Sequence, residues 1–310
     1  MALFASVDLG SNTFRLLVAE TESPSRLRTV EIRQKVVRLA EGLAKSGILS
    51  EEALYRAREC LKEFSGFLDG LGVKNRVAAL AASGRRAANG EEFRAEAERI
   101  LGGRVIIPAG REEALLSFRG ALSLCPDLGE EILFLDIGGG STEIVRGKKG
   151  EQPLAESVPV GIVGFWEELG LPETLKSEDR KKLLEAARLT ASGFPPGEVF
   201  GVDFRRGKLV ANAGTPMTLA ALFAGADISK AGALSGAEIP LAFVSATLVS
   251  LSGMRSEERR ALREMEPGRE DLVLGGIALL IALMERYGAE SFVASDGGLA
   301  EGLLLNAFAE

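Results

Sequence analysis

Hydrophobic and polar positions along the chain predict strands and helices in turn. The apolar run Leu3–Val7, the polar and glycine cluster Asp8–Asn12 and the apolar run Thr13–Ala19 predict a β-hairpin with a tight turn. Arg26–Val37 alternates weakly and is predicted as a third strand. Ser50, followed by acidic residues, is typical of a helix N-cap, so we expect a helix from there to about residue 68.

The same patterns predict the other elements of the first half and then a second round. The first half continues with a strand, a helix, a strand and a helix, namely Arg76–Ala82, Gly90–Leu101, Arg104–Pro108 and Arg111–Leu124. The second half begins with a strand, a turn and a strand, namely Ile132–Leu135, Asp136–Gly140 and Thr142–Val145. Further strands are predicted at Lys208–Ala211 and Ser291–Ser295, and further helices at Pro159–Glu168, Lys176–Ser192, Thr218–Phe223, Pro240–Leu251, Ser256–Met265, Asp271–Tyr287 and Gly298–Phe308.

The two glycine turns align without a gap at an offset of 128 residues. Residues of similar type then coincide: Asp8 with Asp136, Gly10 with Gly138, Thr13 with Ser141, Leu16 with Ile144 and Leu17 with Val145. We interpret this as an internal repeat and predict two lobes of similar α/β fold, an N-terminal lobe over 1–116 and a C-terminal lobe over 117–310. Two unrelated glycine hairpins are the alternative.

Composition narrows the chemistry. The 310 residues are 46% hydrophobic and 26% charged, which is ordinary for a globular protein. Cys60 and Cys125 are the two cysteines, so neither a disulfide framework nor a thiolate metal site is expected, and a reducing cytoplasm fits. The sequence contains no histidine, which excludes histidine-dependent nucleophiles and imidazole-bound zinc. Acid–base chemistry then falls to carboxylates, Lys or Tyr, and a metal should be Mg²⁺, Mn²⁺ or Ca²⁺.

Charge and apolar runs limit the partners. The net charge of −7 argues against a broad nucleic-acid-binding surface, so a polyanion would need a local basic cleft. The segment Met1–Asp8 has no basic region and is not expected to be a signal peptide. Leu272–Met284 is too short to span a bilayer and predicts a buried helix, although a homodimer seam remains open. We therefore expect a cytoplasmic protein without a membrane partner.

The first turn offers several groups to a phosphate. Gly10 permits a tight turn and a close approach of the backbone. Ser11, Asn12 and Thr13 supply hydroxyl, amide and backbone N–H donors. Asp8, at the end of the strand, could hold a metal-bound water. The alternative is a common turn composition without function.

The second turn, with glycines at Gly138–Gly140, leaves backbone N–H groups free to cradle an anion. A dinucleotide-binding fingerprint should open a helix, whereas Thr142–Val145 is predicted as a strand, and no Lys follows the glycines as in a Walker A loop. Asp136 and Glu143 are seven residues apart across the turn and could face one Mg²⁺.

Three weaker motifs each leave two readings open. The acidic pair in Gly110–Ala114 suits either a general base or a helix N-terminus. Arg85 and Arg86 could clamp a phosphate or simply be solvated, and basic residues at Arg33, Lys35 and Arg38 add positive charge nearby. The glycine turns Asn212–Pro216 and Asp296–Gly298 could line a nucleotide pocket or be plain turns.

Together the motifs resemble the exopolyphosphatase / guanosine pentaphosphate phosphohydrolase (Ppx/GppA) family. The matching segments run in the family's order over essentially the whole chain: Val7–Thr13, Arg38–Leu43, Ser83–Arg85, Arg111–Ala114, Leu135–Glu143, Ala213–Thr215 and Ser295–Gly302. The first and fifth segments together are highly specific. The resemblance implies an α/β protein of two actin-like (ASKHA, RNase H-like) lobes with the active site in an interdomain cleft.

The resemblance also implies residue roles. Glu113 would be the catalytic base, while Asp136, Gly138 and Glu143 would help to hold a divalent ion, Mg²⁺ or Mn²⁺, with Asp8 beside it. The phosphate-binding residues would be Ser11, Asn12, Thr13, Arg85, Gly139, Gly140, Ser141 and Thr142. Ala82 and Gly84 depart from the family, which often has Thr and an apolar residue there, so the local loop is expected to differ. Larger members add a C-terminal helical region with an HD-type module, and we expect a short two-lobed member.

The activity expected from this resemblance is that of an exopolyphosphatase. It would release terminal phosphate from inorganic polyphosphate by metal-assisted attack of water. Guanosine pentaphosphate presents the same terminal phosphoanhydride and is the alternative substrate. An actin-fold kinase and a non-catalytic phosphate-chain sensor or scaffold are alternatives of other classes.

Overall fold

The computed structural model describes residues 3–23, 26–125 and 128–307. The chain forms two compact units. Unit 1 comprises Met1–Ser123, Gly138–Gly140 and Gly297–Glu310, and unit 2 comprises Leu124–Ile137 and Ser141–Asp296. Within the described ranges, no helix is both long enough and apolar enough to cross a membrane.

Unit 1 contains a five-stranded sheet. Its strands are β1 (Leu3–Leu9), β2 (Thr13–Ser23), β3 (Arg26–Val36), β4 (Asn75–Leu80) and β5 (Arg104–Ile106). The helices that follow them in sequence are α1 (Leu43–Ser46), α2 (Glu51–Gly70), α3 (Ala82–Arg86), α4 (Gly90–Leu101) and α5 (Gly110–Leu124). The strand order is β3-β2-β1-β4-β5, with β1, β2 and β3 antiparallel and β4 and β5 parallel to β1.

Local signals explain why these elements form. Ser50 caps α2, and its side chain accepts a hydrogen bond from the Ala53 N–H at 3.2 Å, as the sequence predicted. Leu61 and Phe64 of α2 are buried in the same core as Val7 of β1. Alternating residues of the strand and one face of the helix therefore share one apolar layer.

Unit 2 contains a six-stranded sheet. Its strands are β6 (Glu131–Ile137), β7 (Thr142–Lys148), β8 (Leu154–Val158), β9 (Gly207–Asn212), β10 (Glu238–Pro240) and β11 (Ser291–Ala294). Its helices are α6 (Ile162–Leu169), α7 (Ser177–Ser192), α8 (Gly197–Phe200), α9 (Gly214–Ala224), α10 (Leu241–Ser252), α11 (Ser256–Arg260) and α12 (Val273–Tyr287), with a 3₁₀ helix at Ile228–Leu234. The order is β10-β11-β9-β6-β7-β8. The segment Leu272–Met284, for which the sequence left core and dimer seam open, packs in the apolar core of this unit.

The two sheets repeat one topology. In each, a central strand (β1 or β6) has two antiparallel strands on one side and a parallel strand on the other. The 128-residue offset superimposes the cross-strand pair Asp8 and Arg15 on the pair Asp136 and Glu143. The predicted fold class, α/β with two actin-like lobes, is confirmed by this repeat.

The structure differs from the predicted elements at several places. The strand predicted to reach Ala82 ends at Leu80, because the chain turns into the short helix α3. The helix predicted over Ser256–Met265 ends at Arg260, where the buried Glu270 carboxylate accepts hydrogen bonds from the Arg260 side chain and the Gly268 N–H and so holds the following segment folded back. Strands β8 and β10 were not predicted, and the end of the closing helix at residue 308 lies outside the described residues.

The predicted lobe ranges differ from the compact units in three respects, the first being that Gly138–Gly140 groups with unit 1. The boundary between residues 116 and 117 falls inside α5. The last helix, α13 (Leu299–Ala307), groups with unit 1 although the sequence placed it with the second half. As domain boundaries, the ranges 1–116 and 117–310 remain predictions.

Helix α13 joins unit 1 because it crosses α5 at backbone contact. A Cβ on Gly120 would lie 1.9 Å from the Gly298 carbonyl oxygen, and a Cβ on Gly302 would lie 2.0 Å from the Leu116 carbonyl oxygen. Neither helix can carry a side chain at this point. The Ser6 hydroxyl also donates to the Ala300 carbonyl at 2.7 Å, which fixes α13 against β1.

Replacing Gly302 by Ala should therefore destabilise the protein by about 1–3 kcal/mol, since the helices must move apart. Gly66→Ala, in the middle of α2 with no atom within 4 Å of its Cβ position, is the matched control. It should stabilise by roughly 0.5–1 kcal/mol. Denaturant unfolding measures both changes, and equal stability of the two variants would contradict the crossing.

The two cysteines are free and buried. Burial raises the pKa of the Cys60 thiol to about 12, so the thiolate is scarce at neutral pH. We expect neither thiol to react with a thiol reagent at pH 8 in the folded protein and both to react in denaturant. Rapid labelling of the native protein would be inconsistent with the buried positions.

Candidate phosphate-binding site

The loop between β1 and β2 has its carbonyl side occupied by the protein. The Asn12 carbonyl accepts the N–H groups of Val37 and Arg38, both at 2.8 Å, and the Ser11 carbonyl accepts the Ala40 N–H at 2.9 Å. A Cβ on Gly10 would lie 2.7 Å from the Thr13 carbonyl oxygen, so the turn requires glycine. Because the Ser11 and Asn12 carbonyls already have protein partners, an anion at this loop would be met by its N–H groups and by the Ser11 hydroxyl.

The segment that backs this loop is held in an unusual conformation. Arg38 has φ of 53°, in the left-handed region that non-glycine residues rarely adopt. Arg56 of α2 braces it, with Nε donating to the Val37 carbonyl at 2.7 Å and Nη2 to the Arg38 carbonyl at 3.1 Å. Such strained positions cluster at functional sites.

The second glycine loop, Gly138–Gly140, groups with unit 1 and packs on the first loop. A Cβ on Gly139 would lie 3.3 Å from the Asn12 Cβ, and a Cβ on Gly140 would lie 2.5 Å from the Ser11 Oγ. A side chain at residue 140 would displace the Ser11 hydroxyl. The structure thus brings together the predicted residues Ser11, Asn12, Gly139 and Gly140.

Helix α3 connects this pair of loops to the predicted base. Arg85 donates from Nη1 to the Glu113 carboxylate and to the Pro108 carbonyl, the latter at 3.0 Å. Its neighbour Arg86 donates from Nη1 to the Gly140 carbonyl at 3.2 Å. Two consecutive arginines therefore contact the base on one side and the glycine loop on the other.

Glu113 is a buried carboxylate, only 6% exposed, in the first turn of α5. The Arg85 guanidinium and the positive end of the helix dipole both favour its ionised form. The adjacent Glu112 is exposed. Of the two readings of this acidic pair, a helix-end charge suits Glu112, whereas Glu113 has the burial and the partner expected of a functional group.

Asp8 lies opposite Arg15, a residue that the sequence did not single out. Asp8 on β1 and Arg15 on β2 are directly opposite, so their side chains share one face of the hairpin. Arg15 Nη1 donates to both oxygens of buried Glu301, at 2.7 and 2.9 Å, and Glu301 also accepts the Gly298 N–H at 2.8 Å. Arg15 thus lies opposite Asp8 and is ion-paired with Glu301 of α13.

In unit 2, the corresponding hairpin position has two carboxylates. Asp136 and Glu143 are directly opposite across β6 and β7. Glu143 is buried, and its Oε1 accepts hydrogen bonds from the Ser141 and Ser157 hydroxyls, both at 2.7 Å. Asn212, at the end of β9, donates to Asp136 Oδ2 at 3.2 Å. These neighbours fix both carboxylates in place.

This donor set fits a hard divalent ion. Like charges directly opposite in a hairpin are destabilising, and a cation would offset that repulsion. Mg²⁺ is commonly held by one or two carboxylates, with waters and phosphate oxygens completing its shell. Among the described residues, no cluster of three or more His, Cys, Asp or Glu side chains suggests a site made of protein ligands alone. Asp136 and Glu143 suit an ion of the Mg²⁺ or Mn²⁺ type that is shared with a phosphate ligand.

Other predicted residues have structural partners. The Thr142 hydroxyl donates to the Val160 carbonyl at 2.7 Å, which ties β7 to the segment after β8. Ala213 has φ of 84° and ψ of −177°, a region suited to glycine, and a Cβ on Gly214 would lie 2.0 Å from Arg269 Nη1. The Asp296 N–H donates to the Ser235 hydroxyl at 2.9 Å. The Asn212–Pro216 turn thus contacts Asp136 and Arg269, and its part in a nucleotide pocket stays a prediction.

Several partners escaped sequence reasoning. Ser157 lies on β8, a strand that the pattern did not predict, and Glu301 lies on a helix distant in sequence from Arg15. The sequence held one signal for Arg15. The 128-residue offset superimposes it on Glu143, so a basic residue of the first hairpin corresponds to an acidic residue of the second. The contact between Arg86 and Gly140 depends on the fold alone.

The chain has two units of actin-like topology. It also has two glycine loops, the buried Glu113 paired with Arg85, and the Asp136–Glu143 hairpin. This combination is the one expected of a protein that acts on phosphate groups. The chain belongs to the Ppx/GppA phosphatase family, whose sequence model matches residues 17–309.

The relatives carry the names of two different enzymes of the family. An Exopolyphosphatase 2 of Mycobacterium tuberculosis is 31% identical, with 97% of each chain covered. A guanosine-5'-triphosphate,3'-diphosphate pyrophosphatase of Pseudoalteromonas translucida is 29% identical over 99% of this chain, which spans 60% of that relative's length. The crystal structure of the Aquifex aeolicus family member has a TM-score of 0.78 and 26% identity, covering 99% of this chain and 98% of its own.

The carboxylate hairpin yields a binding prediction. Glu143→Gln should weaken Mn²⁺ binding, measured by electron paramagnetic resonance, by about tenfold or more, because one of two facing charges is lost. Glu156→Gln, at an exposed site on the neighbouring strand β8, is the control and should bind Mn²⁺ like the unmodified protein. Equal Mn²⁺ affinity in the two variants would exclude Glu143 as a ligand.

Proposed function

We propose that the protein is an exopolyphosphatase that releases terminal phosphate from inorganic polyphosphate. The observation that supports this most directly is the arrangement around α3. Arg85 contacts the buried Glu113, and Arg86 contacts the glycine loop that packs on Ser11. One short helix thus links a candidate base, a cationic clamp and a phosphate cradle within unit 1.

The proposed reaction is attack of water on the terminal phosphorus. A P–O bond to the water oxygen forms, the phosphoanhydride P–O bond breaks, and the polyphosphate leaves one phosphate shorter. Glu113 accepts a proton from the water, and Arg85 keeps the Glu113 carboxylate ionised and oriented. The N–H groups and hydroxyls of the two loops hold the phosphoryl oxygens where negative charge develops. Burial of Glu113 limits competing hydrogen bonds from bulk solvent.

A divalent ion completes the proposal. Asp136 and Glu143 of unit 2 would hold Mg²⁺ or Mn²⁺, with Gly138 as the further ligand that the resemblance implies. When bound, such an ion offsets phosphate charge and polarises the phosphoryl oxygens. Ser141 and Thr142 keep their predicted role as phosphate-binding residues, and Asp8 keeps its predicted role at a metal-bound water.

Guanosine pentaphosphate is the second candidate substrate, because a relative at 29% identity carries the name of an enzyme of that type. Polyphosphate is the first candidate, because a relative at 31% identity carries the name exopolyphosphatase. A kinase would instead need ATP and an acceptor, and a sensor would bind phosphate chains without turnover.

Glu113→Gln should lower phosphate release from long-chain polyphosphate by about 10²–10⁴-fold, the range of a general base. Its fold should persist, because the two side chains are nearly the same size. Glu112→Gln changes the same charge on an exposed neighbour and is the matched control. Turnover in Glu113→Gln equal to that of the control would remove Glu113 from the mechanism.

The substrate is decided by parallel assays with Mg²⁺. Phosphate release is measured from long-chain polyphosphate, from guanosine pentaphosphate, and from ATP with sugar acceptors. We expect the highest kcat/KM with polyphosphate. Release from guanosine pentaphosphate alone would reassign the substrate, and no release from either would contradict a hydrolase.

A further inference from the structure

Arg86 and Arg85 are adjacent but have different electrostatic surroundings. Arg85 is ion-paired with buried Glu113. Arg86 donates to the Gly140 carbonyl at 3.2 Å and, within the part of the chain that the structure describes, has no carboxylate partner. A carbonyl carries no formal charge. Among the described residues, no carboxylate therefore balances the charge of the Arg86 guanidinium.

The hydrogen bond to Gly140 holds this charge at the cradle itself. The Cβ position of Gly140 is 2.5 Å from the Ser11 Oγ and 3.4 Å from the Ala82 Cβ. Arg86 thus donates to the peptide segment that packs against the first loop. A guanidinium has five N–H donors, so most of the donors of Arg86 remain for a ligand. Its exposure lets an anion approach from solvent.

We infer that Arg86 binds a phosphoryl group of the polyphosphate chain that lies beyond the one departing as leaving group. The terminal phosphoryl must lie near the water that Glu113 activates, which is the place of the half-buried Arg85. Arg86 is one residue further along α3 and exposed, where the rest of the chain would extend toward solvent. This inference rests on the proposed function and adds a binding residue that the resemblance did not imply.

The two arginines then have separable effects. Arg86 makes no contact with the base and should act on substrate binding in the ground state. Its guanidinium can engage two oxygens of one phosphate, which an ammonium group cannot do with the same geometry. A charge contact to a non-terminal phosphate should change KM and leave the chemical step nearly unchanged.

The test uses Arg86→Gln, Arg86→Lys and the control Arg99→Gln, which removes an exposed arginine of α4. With polyphosphate and Mg²⁺, Arg86→Gln should raise KM by roughly tenfold or more, with kcat within about twofold. Arg86→Lys should fall between Arg86→Gln and the unmodified protein. Arg99→Gln should match the unmodified protein.

Calorimetry with tripolyphosphate in chelator measures binding without turnover. The unmodified protein should bind tripolyphosphate more tightly than Arg86→Gln does. Arg99→Gln should have the same affinity as the unmodified protein. Equal affinity of Arg86→Gln and Arg99→Gln, or no binding by the unmodified protein, would overturn the inference. So would a loss of kcat at unchanged KM. If no phosphate is released by any protein, the proposed function fails, and calorimetry still decides the role of Arg86.

Discussion

The close crossing of α5 and α13 positions much of unit 1. Gly120 and Gly302 have no room for a side chain, so the two backbones meet directly. The buried Glu113 lies in the first turn of α5, and Glu301, which binds Arg15, lies in the first turn of α13. One contact thus sets the position of the candidate base and of the charge opposite Asp8. Because protein interiors are densely packed, a shift of one helix at this contact would also shift the other.

Helix α3 connects the candidate base Glu113 to the second glycine loop. It has only five residues, and its last two side chains contact different partners, a buried carboxylate and a loop carbonyl. The two adjacent arginines therefore have different surroundings. Arg85 is ion-paired with the buried Glu113, whereas Arg86 is exposed and contacts a loop carbonyl. This difference is the basis of the separate roles proposed for them.

The sequence predicted the parts of the fold that local rules determine. The two hairpins, the Ser50 cap and the apolar helix α12 follow from periodicity and turn chemistry, and the repeat predicted two related lobes. Strand β8 was missed because Leu154–Val158 has no clear alternation, and β10 is only three residues long. The place of α13 could not be predicted, because it depends on a backbone contact between Gly120 and Gly302, far apart in sequence.

Candidate site residues were predictable in so far as they lie on the glycine turns or match the family motifs. Glu113 was distinguished from Glu112 by resemblance, and the structure adds a physical difference, since only Glu113 is buried and paired. The supporting partners Asn212, Ser157 and Glu301 depend on long-range packing, so local patterns could not assign them.

The two hairpins of the repeat differ in charge at one register position. At one register position, Arg15 stands in the first hairpin and Glu143 in the second, while the backbone pairing is the same. Together with the opposing aspartates, the first pair is formally neutral and the second carries two formal negative charges. Two hairpins of one topology therefore differ in formal charge through the side chain at a single register position, which separates what each can bind.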